Sequence, residues 1–286
     1  SEDKQKYVML GVTGPNEYEN NVNNNWYTNY IAKWCLSYAL HCETMHASST
    51  GALLSKDEIE HWSYMIQHIY FPTLEGTRIF LQQDGFMDKE QRTVADIPMA
   101  ERPINQHWSW DRILRSIFIK QADVLQGLYL FEEHFDLETL SDNFDFYEPK
   151  TVHESSLSPC IHVVIAAKIQ QMDKAYALYL RTSRLDLDDY NHEADEGLHI
   201  TSMAGTWLSL VEGFAGVRIN ENGLSINPSI PAPWKKYAFQ ILYKNQPLKI
   251  TIEKTGGEIE NKSSSEVSLT VNNKEYTLLK NEKITF

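Results

Sequence analysis

The fold is decided by residues 13–45, which read TGPNEYENNVNNNWYTNYIAKWCLSYALHCETM. A Gly-Pro turn opens an amide-rich loop that ends at Asn25, and Gly, Pro and Asn all favour turns. From Trp26 to Met45 the apolar residues leave little polar face, and a helix that is apolar nearly all round is a buried one. The stretch therefore predicts a turn-rich loop that leads into a long core helix.

Five more helices are predicted downstream. Ser55 and Glu58 have the spacing of a capping box, and Ser158-Pro159 is typical of the N-cap and first position of a helix. A loop-rich stretch at residues 71–106 separates the second helix from the third, and loops of that length are usually functional. The six predicted helices span 26–45, 55–69, 110–135, 158–170, 173–184 and 200–215.

The C-terminal part of the chain has a different pattern. Beyond Gly216, short alternating runs separated by Gly256-Gly257 and Asn272-Asn273 predict a small antiparallel β domain. Residues 1–216 hold 32 acidic against 16 basic residues, all ten His and six of the seven Trp, whereas residues 217–286 hold 7 acidic against 10 basic. We therefore predict a functional helical domain, 1–216, followed by a plainer β domain, 217–286.

Composition argues against several classes of protein. A net charge of -13 is unsuited to nucleic acid, and no apolar run approaches the roughly 18 residues of a membrane span. The three Cys form no CxxC motif, and Cys35 and Cys42 lie too far apart along one helix to form a disulfide. Buried, reduced thiols in a cytoplasmic protein are the expectation.

The amide-rich loop is the first of three clusters that could carry chemistry. Its simpler interpretation is a helix-entry loop. The alternative is a sugar site, because Asn side chains both donate and accept hydrogen bonds and Trp26 and Tyr27 could offer a ring face. Glu17 and Glu19 are both candidates for a general acid, on the condition that burial raises the pKa of the carboxyl group, and residue chemistry alone does not choose between them.

The second cluster, Thr151–Pro159, precedes a predicted helix. Free N–H groups at a helix N-terminus, hydroxyls and His153 suit an anion, and Glu154 is expected to point away from it. Capping by Ser158 is the simpler interpretation. No G-x-S-x-G elbow accompanies His153 and Ser155, which argues against a Ser–His nucleophile.

The third cluster is Lys120-Gln121-Ala122-Asp123, within the predicted helix 110–135. Lys120 and Asp123 are three residues apart, so a structural ion pair is the simpler interpretation, and a Lys that faces an anion is the alternative. His and Cys spacings give no metal motif, so no metal site is predicted.

Together these motifs strongly resemble glycoside hydrolase family 65, a family of inverting disaccharide phosphorylases. The resemblance rests on four motifs in matching order, Thr13–Tyr18 with Asn23–Asn29 behind it, Lys120–Asp123, His153–Ser158 and Gly197–Trp207. The segment Ile226-Asn227-Pro228 with Pro231 is similar to that family's closing β domain.

The resemblance implies a mainly α fold, the second half of an (α/α)6 barrel followed by the small antiparallel β domain. Six helices are half of such a barrel, so the expected partners include a missing N-terminal portion of the same enzyme and a second copy in a homodimer. The resemblance also implies that Glu17 is the general acid. It assigns phosphate to His153, Ser155 and Ser156, and substrate binding to Lys120, Gln121 and, less directly, Glu148.

The implied reaction needs no cofactor, because inorganic phosphate is a substrate. Glu17 would protonate the glycosidic oxygen while phosphate attacks the anomeric carbon from the opposite face, giving β-glucose 1-phosphate and glucose from maltose. Trehalose and kojibiose are alternative substrates within the family. A hydrolase of the same fold or a non-catalytic sugar-binding module would also carry such a pocket, and neither would release glucose 1-phosphate.

Overall fold

The computed structural model describes the backbone of residues 1–286 and the side chains of 1–46 and 51–286. The chain forms two compact units, Ser1–Ser155 and Ser156–Phe286. Helices precede an antiparallel-rich β domain, so the predicted fold class is confirmed. None of the helices, as far as the chain is described, is long and apolar enough to cross a bilayer.

The first unit is helical. Its α-helices are α1 (Trp26–Thr50), α2 (Lys56–His68), α3 (Ile104–His107), α4 (Trp110–Arg115), α5 (Val124–Leu130) and α6 (Leu137–Tyr147). Short 3-10 turns lie at Phe86–Asp88, Val94–Asp96, Met99–Glu101, Glu132–His134 and Glu148–Lys150. Three of these turns are the only regular elements between α2 and α3 in the described backbone, which confirms the loop-rich stretch at 71–106.

Helix α1 begins where the sequence predicts it. The Asn25 side chain accepts a hydrogen bond from the Thr28 N–H at 2.9 Å, and the Trp26 ring stacks between Tyr30 and Phe80. The expectation of burial on nearly all sides is wrong for this chain, because α1 packs mainly against α2 and α5. Trp34 and Tyr38 of this helix are stacked on each other and are 40% and 53% exposed.

The predicted helix 110–135 is wrong. It is split into α4 and α5 by an extended segment, in which Ile119 pairs with the backbone next to Thr151. The Ile119 N–H donates to the Lys150 carbonyl at 3.0 Å, and the Val152 N–H donates to the Ile119 carbonyl at 2.8 Å. The run Ile117–Ile119 is buried, and β-branched and aromatic residues suit extended backbone. Lys120–Asp123 therefore lie in a loop.

Helix α6 was not among the predicted helices. Its N-terminus is capped by Asp136, whose carboxylate accepts the Thr139 N–H at 2.7 Å, and Leu140 and Phe144 are buried. The Asp-x-x-Thr cap and the spacing of these apolar residues were the available signals. The helix matters for the site because it ends at Tyr147, directly before Glu148 and the His153 segment.

The second unit contains both helices and strands. Its helices are α7 (Ser158–Lys168), α8 (Met172–Ser183), α9 (Leu185–Asp188), α10 (Ile200–Leu208), a 3-10 turn at Ala194–Glu196 and a π-helical turn at Ser209–Phe214. The ring of Trp234, two residues before β3, lies 5.1 Å from the ring of Tyr179 and 5.3 Å from that of Phe214, so the helical part contacts the segment that leads into β3. The boundary between the two compact units thus lies after Ser155, whereas the change from helices to strands comes after Phe214.

The β domain holds eight strands in two sheets. The strands are β1 (Arg218–Asn220), β2 (Gly223–Ile226), β3 (Lys236–Tyr243), β4 (Gln246–Glu253), β5 (Gly256–Asn261), β6 (Val267–Val271), β7 (Lys274–Leu278) and β8 (Lys283–Thr285). The sheet orders are β1-β2-β6-β7 and β3-β4-β5-β8, and the β2–β6 pair alone among the named strands is parallel. Alternate residues such as Leu248, Ile250 and Ile252 are buried.

The three cysteines are free thiols, and their burial differs from the expectation. Only Cys160 is buried, where desolvation raises its pKa to about 11. Cys35 is exposed on α1, and Cys42 is half-buried. The expectation of buried thiols is therefore wrong for Cys35, because it lies on an exposed part of α1.

Candidate active site

The two candidate acids lie in contrasting surroundings. The carboxylate of Glu17 is 55% exposed and contacts the Nζ of Lys120. Glu19 is only 9% exposed and is paired with Lys89. The Lys89 ammonium also donates to the carbonyls of Leu114 and Ser116, at 3.0 and 2.9 Å. Both carboxylates thus contact a lysine ammonium, and they differ in exposure: Glu19 is buried and Glu17 is accessible. The burial that was the condition for a general acid is not found at Glu17.

A buried carboxylate anchors the loop just before Glu17. The Asn16 N–H donates to Asp123 at 3.2 Å, and the Asn25 amide donates to both Asp123 oxygens at 3.0 and 3.1 Å. Burial raises the pKa of Asp123 to about 7, and these hydrogen bonds oppose the rise. Asp123 therefore joins the acid loop to the N-cap of α1.

The 120–123 segment makes two further contacts with the acid loop. The Lys120 N–H donates to the Asn16 side chain at 3.0 Å, and the Gln121 amide donates to the Pro15 carbonyl at 2.8 Å. The Gln121 Oε1 is buried and has no hydrogen-bond partner among the described residues. The expected Lys120–Asp123 ion pair is wrong, because Lys120 contacts Glu17 while Asp123 binds amide groups.

Much of the amide-rich loop is structural. Asn24 and Asn25 are buried and bind Asp84, Asp123 and backbone groups, and buried Asn29 donates to the Tyr70 carbonyl. Trp26 is buried within an aromatic cluster, so the idea that its ring face meets a sugar is wrong. For these residues the helix-entry interpretation is confirmed, and Glu17 is the exposed functional candidate that the loop presents.

His153 has an unusual backbone and a carboxylate neighbour. Its φ of +56° is in the left-handed region, which costs energy for a residue with a side chain and often marks a functional position. Its Nε2 lies 3.2 Å from an Oε2 of Glu148, and both side chains are largely buried. The structure thus brings a predicted phosphate residue and a predicted sugar contact together.

The Glu154 carboxylate is bonded by two residues outside the cluster Thr151–Pro159. One of its oxygens accepts the Tyr18 hydroxyl at 2.6 Å, and the other accepts the Ile104 N–H at 2.7 Å. Tyr18 and Glu154 were not among the predicted functional residues. Their positions next to Glu17 and His153 were the available signal.

The two serines flank the division between the compact units. Ser155 ends the first unit, and Ser156 begins the second. The Ser156 hydroxyl lies 2.5 Å from that of Thr201, at the start of α10. The N-cap position expected for Ser158 is wrong, since Ser158 is the first residue of α7 and Leu157 is its N-cap. Thr201 lies within the fourth motif, which had given it no role.

Gly14→Ala is expected to lower the free energy of unfolding by about 2 kcal/mol. An added Cβ would lie 2.4 Å from the Asn25 amide nitrogen and 2.4 Å from Asp123 Oδ2, so the anchor would have to shift. Urea unfolding of the complete natural protein measures the loss. Gly213→Ala is the control, because its Cβ would approach Val163 no closer than 3.3 Å. Equal losses in the two variants would contradict the packing argument.

Comparison with known families agrees with this arrangement. Residues 1–208 match the glycosyl hydrolase family 65 central catalytic domain, and residues 217–278 match the C-terminal domain of the same family. The chain belongs to glycosyl hydrolase family 65. The resemblance seen in the four motifs is therefore confirmed at the level of the family.

Individual family 65 proteins align with most of the chain. It is 54% identical to a maltose phosphorylase of Bacillus subtilis (strain 168), over 88% of this chain and 34% of that protein. It is 38% identical to an α,α-trehalose phosphorylase of Thermoanaerobacter brockii, over 87% of this chain and 33% of that protein. The chain spans about a third of the length of these curated relatives.

A solved family 65 structure covers the whole chain. It is a protein from the human microbiome provisionally assigned as a kojibiose phosphorylase, with a TM-score of 0.89 and 35% sequence identity. The match covers 100% of this chain and 43% of that one.

Proposed function

We propose that this chain carries the general acid and the phosphate-binding residues of an inverting disaccharide phosphorylase. The observation that carries the proposal is the environment of Glu17. This carboxyl group is exposed on a loop anchored by buried Asp123, while its neighbour Glu19 is occupied by Lys89. An accessible acid on a fixed loop is placed where it can reach a glycosidic oxygen.

In the proposed mechanism, Glu17 donates its proton to the glycosidic oxygen as the bond to the anomeric carbon breaks. Phosphate forms the new bond to that carbon from the opposite face, so the configuration inverts. An inverting hydrolase needs a second carboxylate that activates a water. Here phosphate replaces both, and His153, Ser155 and Ser156, with the N–H groups at the start of α7, are the proposed ligands.

Lys120, Gln121 and Glu148 are the proposed substrate contacts. Lys120 touches Glu17, and the buried Oε1 of Gln121 has no partner among the described residues, which suits a group that meets a sugar hydroxyl. Glu148 touches His153, which is consistent with a place between the sugar and the phosphate.

We propose maltose as the disaccharide, since the 54% identity to a maltose phosphorylase exceeds the 38% to a trehalose phosphorylase. The test incubates the complete natural protein with maltose, trehalose or kojibiose, with and without inorganic phosphate. We expect β-glucose 1-phosphate from maltose only when phosphate is present. Glucose released without phosphate would indicate a hydrolase, and no release would indicate a sugar-binding module.

Replacing both Ser155 and Ser156 with Ala is expected to raise the KM for phosphate about tenfold, because two hydrogen-bond donors to the anion are lost. The KM for maltose should change much less. Initial rates at varied phosphate measure the effect. Ser63→Ala is the control, because that hydroxyl on α2 bonds only the Ile59 carbonyl among the contacts described. An unchanged phosphate KM in the double variant would place the anion elsewhere.

A further inference from the structure

Glu17 lies between two residues, Asn16 and Tyr18, that are each held by a buried carboxylate. Asn16 and Tyr18 are both buried, although Glu17 itself is exposed. Asn16 is held by Asp123, as described above, and Tyr18 is held by a second buried carboxylate, Glu154. The exposed acid is therefore carried on a backbone whose position is set on both sides.

The Tyr18–Glu154 contact has the character of a strong hydrogen bond. The hydroxyl and the carboxylate oxygen are 2.6 Å apart, and both residues are buried. Hydrogen bonds to a carboxylate are shorter and stronger than those between neutral groups, and a low-polarity interior strengthens them further. The Tyr18 ring lies in an apolar cluster with Ile97, Ile104, Trp108, Ile113, Phe118 and Val152.

Glu154 links the Tyr18 hydrogen bond to the segment that carries the proposed phosphate ligand. It directly follows His153, the proposed phosphate ligand with a left-handed backbone. Its second oxygen accepts the Ile104 N–H at 2.7 Å, so the carboxylate has little freedom to turn. The side chain after the acid and the side chain after the phosphate ligand thus meet in one buried contact.

We propose that Tyr18 and Glu154 are positioning residues that set the placement of Glu17 relative to His153. The inference rests on the proposed function, in which a proton donor and phosphate act on opposite faces of one sugar. Such a reaction is sensitive to spacing, because a displacement of 1 Å can cost about a hundredfold in rate. Neither side chain needs to touch the substrate for this role.

The test is Tyr18→Phe in the complete natural protein, which removes the hydroxyl and keeps the ring in its cluster. We expect kcat at saturating maltose and phosphate to fall about tenfold, with a rise of about threefold in the phosphate KM. Glu154→Gln should act on the same two constants. The double variant should be no worse than the poorer single one, since the two side chains share one interaction.

Tyr237→Phe is the matched control. That buried tyrosine of β3 donates to the Ser229 carbonyl at 2.7 Å, so its variant also loses one buried hydroxyl bond. Urea unfolding should show a loss of stability for both variants, larger for Tyr18→Phe because its hydroxyl bonds a carboxylate, while only Tyr18→Phe changes the kinetics. Assays are made well below the melting temperature of each variant.

The outcomes separate the two proposals. If the unmodified protein releases glucose 1-phosphate and Tyr18→Phe retains its kcat and phosphate KM, the positioning role is overturned and the proposed function stands. If the unmodified protein releases no glucose 1-phosphate from any of the three disaccharides, the proposed function fails and the inference falls with it.

Discussion

Glu17→Gln is expected to reduce the phosphorolysis of maltose about a thousandfold, within the range by which a positioned general acid accelerates a reaction. The amide has the size of the carboxyl group and leaves an oxygen for Lys120, but it has no proton to give to the leaving sugar. The kcat for glucose 1-phosphate release at saturating phosphate measures the loss. The reverse reaction, from glucose 1-phosphate and glucose, should fall by the same factor because both directions share one transition state.

Glu19→Gln is the control for this prediction. Since Glu19 is paired with Lys89 and is largely buried, its replacement should change kcat only a few-fold. The free energy of unfolding should fall by about 2 kcal/mol, because the buried ammonium loses its charged partner. A large loss of activity in Glu19→Gln with a mild effect of Glu17→Gln would reverse the assignment of the acid.

The sequence predicted those parts of the fold whose signals are local. Asn25 before α1, the Ser55–Glu58 capping box of α2 and the alternating strands of the β domain are all present as expected. The helix predicted over 110–135 failed because pairing of Ile119 with the backbone near Thr151 overrides helical periodicity. That partner is distant in sequence, so no window around Ile119 could show it.

The candidate site divides in the same way. Motif resemblance named Glu17 and Lys120, and the structure places them in contact. The resemblance could not show that Asp123 accepts hydrogen bonds from Asn16 and Asn25, or that Glu154 accepts one from Tyr18. Each of these bonds joins segments that are far apart in the chain. Residue type even suggested a different partner for Asp123, since Lys120 stands three residues before it.

The net negative charge of the chain opposes the phosphate binding that we propose. Residues 1–216 hold twice as many acidic as basic residues. In the structure Glu19 is paired with Lys89, Glu154 accepts two hydrogen bonds, and Asp123 accepts three. If the proposed phosphate site is correct, these local donors reduce the repulsion between the carboxylates and the phosphate.

Asp123 is expected to make the stability of the protein depend on pH between about 4 and about 7. Burial raises its pKa from 3.8 to about 7, so in this window the folded chain keeps a proton that the unfolded chain releases. The folded state therefore loses stability as pH rises through the window, and the loss levels off above about 7. A shift of this size corresponds to about 4 kcal/mol in the free energy of unfolding.

Asp123→Asn isolates this contribution, because the amide does not titrate. Urea unfolding from pH 4 to pH 8 measures the free energy of unfolding of both proteins. Across the window the unmodified protein should lose about 4 kcal/mol relative to the variant. The hydroxyls of Tyr27 and Tyr147 lie within the influence of Asp123, but the pKa of each is raised above its ordinary value of 10, so neither ionises in this range. Parallel curves for the two proteins would show that Asp123 is ionised throughout. The hydrogen bonds from Asn16 and Asn25 would then outweigh burial, and the loop before Glu17 would be anchored by a permanent charge.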